Sequence, residues 1–295
     1  MELRATRPRL LRELQALPGG GLAAALEPLS FASVTAFGRI RGGTSTCYLL
    51  HVEGHPRDLV LKCPLAGESI ELEWDVLCRV AAAPATGARL PRPVALLPGG
   101  AGFVMERVRG VPLVRYNGLR DRREREAIAA AVVAGLRDFH RTLDRPFGDF
   151  HARNILIDAG GAPIFIDVGE SADLQAGTRD WESVAPMVGD LGLWVYNTCL
   201  DVPGNTHSSP RGQFNLARFA VSLVATAAES EPDAIAFQRD VFARARRHAL
   251  RMRQSPWRIR RATAPLVMAG LLVLGRAVAR EVSRRTAAQA GGPQA

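Results

Sequence analysis

The sequence predicts an α+β chain of two lobes, a small antiparallel sheet with one helix followed by a larger, mainly helical lobe. Three observations predict it. Residues 31–65 break into short β-branched and apolar runs, Ser33–Phe37, Cys47–Val52 and Asp58–Lys62, punctuated by Gly and Pro. A helical repeat follows, with Ile70, Trp74, Leu77 and Val80 on one face of Glu68–Ala82. Beyond residue 120 helical spacing dominates. In Arg122–Leu143 the apolar positions Ile128, Val132, Leu136, Phe139 and Leu143 recur every three or four residues.

Taken in order, residues 1–30 read as a helical or irregular lead-in, broken at Pro18-Gly19-Gly20-Gly21. Residues 31–108 form the first lobe. It closes with two short strands, near Pro93–Leu97 and Gly102–Glu106, around a Pro-Gly-Gly turn. A linker over 110–118 leads into the long helix. After a loop at 144–153, Asn154–Ile157 and Pro163–Val168 read as a hairpin about a Gly-Gly turn. The second lobe covers 109–250. Residues 180–288 are mostly helical around a Pro/Gly/Ser stretch at 202–212, and 251–295 read as a basic and apolar helical tail.

Composition bounds the function. With 295 residues and 47% hydrophobic content the chain can bury a substantial core. Cys47, Cys63, Cys78 and Cys199 form no C-x-x-C pair, so they read as small apolar residues and not as a zinc module or disulfide framework. Met1–Leu11 is charged and lacks the apolar stretch of a secretory signal. The apolar run Ala262–Gly275 has 14 residues, short of the ~18 that span a bilayer. A cytoplasmic protein is therefore expected. The net charge of +9 is uneven, because 13 arginines against Asp240 and Glu281 give Arg239–Arg285 a charge of +11. Such a tail suits an anionic membrane surface or the solvated face of a core helix. No recognisable nucleic-acid module accompanies it, so no nucleic-acid partner is expected. Among the 38 basic residues Lys62 is the only lysine, which marks a place where a compact charge on a flexible stem is needed.

The strongest chemical signal is Gly148-Asp149-Phe150-His151-Ala152-Arg153-Asn154-Ile155-Leu156-Ile157-Asp158. Asp149 and Asn154 are five apart, and Asp167 lies thirteen beyond Asn154 at the end of the next strand. A loop carboxylate, a nearby amide and a second carboxylate across a hairpin supply a base and Mg²⁺ ligands, the set that phosphoryl transfer needs. With Phe165-Ile166-Asp167-Val168-Gly169, this string resembles the catalytic and metal-binding loops of the protein-kinase-like superfamily, over about residues 35–195. The resemblance implies a bilobal protein-kinase-like fold with ATP and Mg²⁺ as cofactors. It makes Asp149 the catalytic base and Asn154 and Asp167 the metal ligands.

Upstream residues extend the likeness. Lys62 ends Leu59-Val60-Leu61-Lys62, similar to the family's phosphate-binding strand, which implies contact with the α- and β-phosphates. Glu73, four before Leu77, would pair with Lys62, with Glu71 as the alternative. Met105-Glu106-Arg107-Val108 resembles the hinge, where backbone groups of Glu106 and Val108 would take adenine. Gly38, Gly42 and Gly43, in Phe37–Ser45, offer flexible backbone to cover phosphates. No G-x-x-x-x-G-K-[ST] occurs, which excludes a P-loop.

The form G-D-x-H-x-x-N, with Gly148 and His151, is similar to aminoglycoside and choline phosphotransferases and to bacterial lipopolysaccharide-core sugar kinases. Only 23 residues separate Asp167 from Asp190, which reads as the aspartate bracing the catalytic loop. Little room remains for a peptide-docking segment. The resemblance therefore favours transfer to a hydroxyl of a sugar, glycolipid or other small molecule. A protein Ser/Thr kinase and a nucleotide-binding pseudokinase are the alternatives. Phe147 stands where the family has a His that braces the loop, and Val168 follows the metal-binding Asp. The basic tail would allow peripheral contact with the cytoplasmic face of an anionic membrane, beside a glycolipid acceptor.

Overall fold

Alternation along the strands decides which side chains enter the first core. The computed structural model describes residues 2–17, 21–27, 33–41, 45–65, 70–83, 87–143, 147, 150, 152–169, 210–252 and 258–290. The chain divides into two compact units, Met1–Pro84 with Leu90–Arg109, and Ala85–Arg89 with Gly110–Ala295. The first is sheet-rich and the second mainly helical, the α+β class expected.

The first unit holds β1 (Glu2–Ala5), β2 (Ser33–Arg41), β3 (Ser45–Val52), β4 (Leu59–Pro64), β5 (Pro93–Leu96) and β6 (Phe103–Glu106). They form one sheet in the order β1-β2-β3-β4-β6-β5. β1 runs parallel to β2, and the other pairs are antiparallel. Tyr48, Leu50 and Val52 alternate along β3, and Leu59, Leu61 and Cys63 along β4. These face Leu10 and Leu14 of α1 (Pro8–Gln15) and Leu22 and Leu26 of α2 (Gly21–Leu26). Each such buried leucine contributes roughly 1.5–3 kcal/mol. Lys62 and Phe103 pair across β4 and β6, and Phe103 meets Trp74 of α3 (Glu71–Ala82) at 5.8 Å.

Two features differ from the expected lobe. Residues 2–26, read as a lead-in, add a strand to the sheet and two helices to its core. Among its described residues the unit thus carries three α-helices where one was expected, and its sheet is mixed and not wholly antiparallel.

The second unit begins with β7 (Val111–Pro112), inside the expected linker. It pairs with β8 (Ile155–Ile157), which pairs with β9 (Pro163–Phe165). Helix α4 (Arg122–Leu143) buries Ile128, Val132, Leu136, Phe139 and Leu143, the stripe set by its spacing. A Cβ at Gly135 would stand 2.7 Å from the Phe165 ring, so a glycine in mid-helix is what lets β9 approach. Residues 87–89 also belong to this unit. The Phe165 N–H donates to the Arg89 carbonyl at 2.8 Å, Arg89 pairs with Asp158 at 2.5 Å, and the Gly87 N–H donates to Asp138 at 2.7 Å.

Among the described residues the unit goes on with α5 (Pro210–Ala228), α6 (Ala234–Met252) and α7 (Arg258–Ala290). The segment expected as a tail is mostly α7, and α7 packs on α5 and α6. Ala264, Val267, Leu271, Leu274, Val278 and Val282 are buried at helical spacing. Arg285 bonds Glu281 at 2.8 Å, Thr226 of α5 at 3.2 Å and, just past the end of α5, Glu229 at 2.7 Å. Among the described residues no helix is long and apolar enough to cross a membrane.

Candidate catalytic and nucleotide-binding residues

Strand alternation forces Lys62 to the sheet face opposite α1 and α2, because its neighbours Leu61 and Cys63 enter that core. Helix α3 presents Glu73, Val76, Leu77 and Val80 on its buried face. Lys62 Nζ donates to Glu73 Oε2 at 2.6 Å, with side chains 8% and 6% exposed. Glu71 lies on the exposed face of the same helix. A buried pair of this kind holds only while both charges remain, since either alone is strongly unfavourable. Cys47 stands directly opposite Lys62 on β3. Cys63 points into the core, where burial pushes its thiol up to about 12.

Glu106 ends β6. Its N–H donates to the Arg92 carbonyl at 2.8 Å, and its carboxylate accepts from Arg57 at 2.6 Å. The Arg107 N–H donates to the Asp58 carbonyl at 2.8 Å. The Asp58 carboxylate bonds His51, Arg109 and Arg107, and the His51 bond does most to hold it below the ordinary range. Val108, half-buried, follows this fixed strand end. Gly38 lies inside β2 at an irregularity in the ladder, where a Cβ would stand 3.0 Å from Leu49 Cδ1. Strand packing accounts for that glycine. Gly42 and Gly43 lie outside the described residues.

In the second unit, Gly148, Asp149 and His151 lie outside the described residues, as do Asp190, Cys199 and Trp257. The residues flanking Asp149 in sequence are held firmly. Phe147 and Phe150 are fully buried, 5.5 Å apart between ring centroids. Phe147 also meets Phe139 of α4 at 5.1 Å and Phe165 of β9 at 5.5 Å. The Val114 N–H donates to the Ala152 carbonyl at 3.2 Å.

The hairpin brings Asn154 and Asp167 toward one another. The Ile166 N–H donates to the Asn154 carbonyl at 2.8 Å, so Asp167 follows immediately after the residue opposite Asn154. Asn154 is buried and Asp167 exposed. Asp167 has φ +62°, the only positive φ at a non-glycine among the described residues. A short polar side chain tolerates that backbone best, and such conformations cluster at functional sites. An amide and a carboxylate are hard oxygen donors of the type Mg²⁺ takes alongside phosphate and water, so the two residues fit that ion. Asp158, inside the conspicuous motif, has a local role that the sequence did not disclose. It accepts from the Gly160 and Ala162 N–H groups, both at 2.9 Å, and shapes the hairpin turn. Arg89, more than these amides, holds its carboxyl below the ordinary range.

No protein-family model matches the sequence, and no curated protein matches it significantly. Among solved structures, the Cydia pomonella Granulovirus kinase PK-1 is similar, with a TM-score of 0.40 and 20% identity. The match covers 48% of this chain and 55% of the viral kinase, about half of each.

Proposed function

We propose that the protein is an ATP- and Mg²⁺-dependent phosphotransferase acting on a hydroxyl of a sugar, glycolipid or other small molecule. The observation that carries this reading is the buried Lys62–Glu73 ion pair. In a chain that uses arginine for every other basic position, an arginine fork would pair a carboxylate at least as well. An ammonium can serve a carboxylate and phosphate oxygens together, and its flexible stem reaches both. Glu73 then fixes Lys62 for the α- and β-phosphates, and backbone groups of Glu106 and Val108 take adenine. Backbone at Gly42 and Gly43 would cover the phosphates, while Gly38 answers to strand packing. Asn154 and Asp167 would hold Mg²⁺, which would neutralise phosphate charge. Asp149 orients the acceptor hydroxyl and takes its proton as the oxygen attacks the terminal phosphorus and ADP departs. His151 and the short interval to Asp190 support a non-protein acceptor.

Asp149→Ala tests the assignment. ATP turnover should disappear while nucleotide affinity stays near that of the native protein. Unchanged turnover in this variant would overturn the catalytic role. Transfer of labelled phosphate from ATP into fractionated lysate separates small-molecule, lipid and protein acceptors. Label appearing on Ser or Thr of proteins, and lost with Asp149→Ala, would replace the small-molecule reading with the protein-kinase one.

A further inference from the structure

Helices α6 and α7 leave a groove of about 330 Å³ along their contact. Arg239, Phe242 and Arg246 of α6 and Leu272, Gly275 and Arg276 of α7 line it. All three arginines are exposed, and none has a carboxylate partner among the described residues. The acids of these helices are engaged locally, Asp240 with Arg244 and Glu281 with Arg284 and Arg285. On the same two helices large apolar side chains face outward: Leu272, which lines the groove, is 46% and Val273 68% exposed on α7, and Ile235 and Leu250 are similarly exposed on α6. Scattered singly, exposed apolar residues need no explanation. Here four of them share one helix pair with unpaired cations. Gln238, whose amide oxygen is buried without a hydrogen-bond partner, lines the same groove.

We propose that this face of α6 and α7 docks on an anionic phospholipid surface. The arginines would meet headgroup phosphates, and Leu272 and Val273 would enter the boundary between headgroups and acyl chains. The inward face of α7 is committed to packing, so the helices lie on the bilayer and do not insert as a pair. A hydroxyl-bearing headgroup would also supply a donor for Gln238. Nucleic acid could use the arginines but would gain nothing from Leu272 and Val273. The inference is independent of the phosphotransferase reading, because vesicle binding is measured without nucleotide.

Sedimentation of the full chain with phosphatidylglycerol/phosphatidylcholine vesicles, and with phosphatidylcholine alone, is the test. Binding should require phosphatidylglycerol and weaken with salt. Arg239→Gln/Arg246→Gln/Arg276→Gln should lower affinity roughly a hundredfold, and Leu272→Ser/Val273→Ser roughly tenfold. Arg115→Gln/Arg120→Gln/Arg123→Gln removes the same charge from exposed positions elsewhere and should change affinity less than about threefold. The proposal fails if the native chain ignores anionic vesicles, or if both arginine triples weaken binding equally. It also fails if the serine variant binds undiminished and RNA displaces the vesicles, which would make the face a nucleic-acid surface. Matched circular-dichroism melting curves check that the exposed substitutions leave the fold intact.

Discussion

Breaking the Lys62–Glu73 pair separates its structural role from its chemical one. Lys62→Met takes from a carboxylate that is 6% exposed its partner at 2.6 Å. Removing one member of a buried pair costs about 3–5 kcal/mol. Glu73→Leu takes the same partner from the ammonium. Changing both residues removes both charges and leaves apolar side chains of similar volume between β4 and α3, so the double variant should fall within about 1 kcal/mol of the native protein. The second substitution therefore rescues the first by about 2–4 kcal/mol. Guanidinium denaturation followed by circular dichroism measures all four corners of the cycle. Phosphoryl transfer should not follow stability: all three variants lose turnover, including the stable double variant. A double variant as unstable as the sum of the singles would refute the coupled buried pair. Turnover by the stable double variant would refute the assignment of Lys62 to the phosphates.

Substitutions at three further positions probe geometry that the folded chain makes explicit. Gly135→Ala gains about 1 kcal/mol of helix propensity, but its Cβ meets the Phe165 ring at 2.7 Å. Overpacking costs about 1–3 kcal/mol, so a lower melting temperature is expected, and a higher one would show that the hairpin yields. The Glu281 carboxyl is pulled from 4.5 to about 2, first by its bond from Arg284 and then by Arg285, against the opposing effect of burial. A depressed folded value stabilises fully above pH 4.5 and is lost as pH falls toward 2. Discounted for solvent screening it is worth about 1–2 kcal/mol. Glu281→Gln should therefore lose that much at pH 7 and converge on the native stability near the acid limit in pH-dependent denaturation. Asp167→Gly relieves a left-handed backbone at φ +62°, and Asp167→Ala retains it, so the glycine variant should be more stable by about 1 kcal/mol. Transfer should vanish in both, measured with labelled ATP.

Much of this arrangement was legible in residue spacing. The stripe from Ile128 to Leu143 marks α4, and the β-branched runs around Leu50 and Leu61 mark the sheet. Strand β1 was not legible, because Glu2–Ala5 is short, half charged and stabilised by a partner about thirty residues away. Residues 87–89 join the second unit through three bonds that leave no trace in composition. A glycine kept for strand packing, such as Gly38, looks in sequence like one kept for phosphate approach. The apolar run at 262–275 hid a helical face for a different reason. Its inward positions, Ala264, Val267, Leu271 and Leu274, alternate with outward Ala262, Pro265, Ala269, Leu272 and Val273, which are apolar too. Periodicity fades when both faces avoid charge, and the outward apolar residues are what the membrane proposal explains.

Phe147 is the residue on which sequence and structure differ most usefully. Set against the resembled family, a Phe in place of a bracing His reads as a lost hydrogen bond near Asp149. In the folded chain that side chain is fully buried and touches Phe139, Phe150 and Phe165 at 5.1, 5.5 and 5.5 Å between ring centroids. Aromatic packing there links α4, β9 and Phe150. Packing of this type is worth about 3–5 kcal/mol on truncation to Ala. Phe147→His would bury an imidazole among the rings of Phe139, Phe150 and Phe165 and cost about 1–3 kcal/mol. Thermal denaturation should therefore rank native above Phe147→His above Phe147→Ala. A histidine variant as stable as the native chain would mean that a hydrogen-bond acceptor stands within reach, and aromatic packing alone would not account for this position.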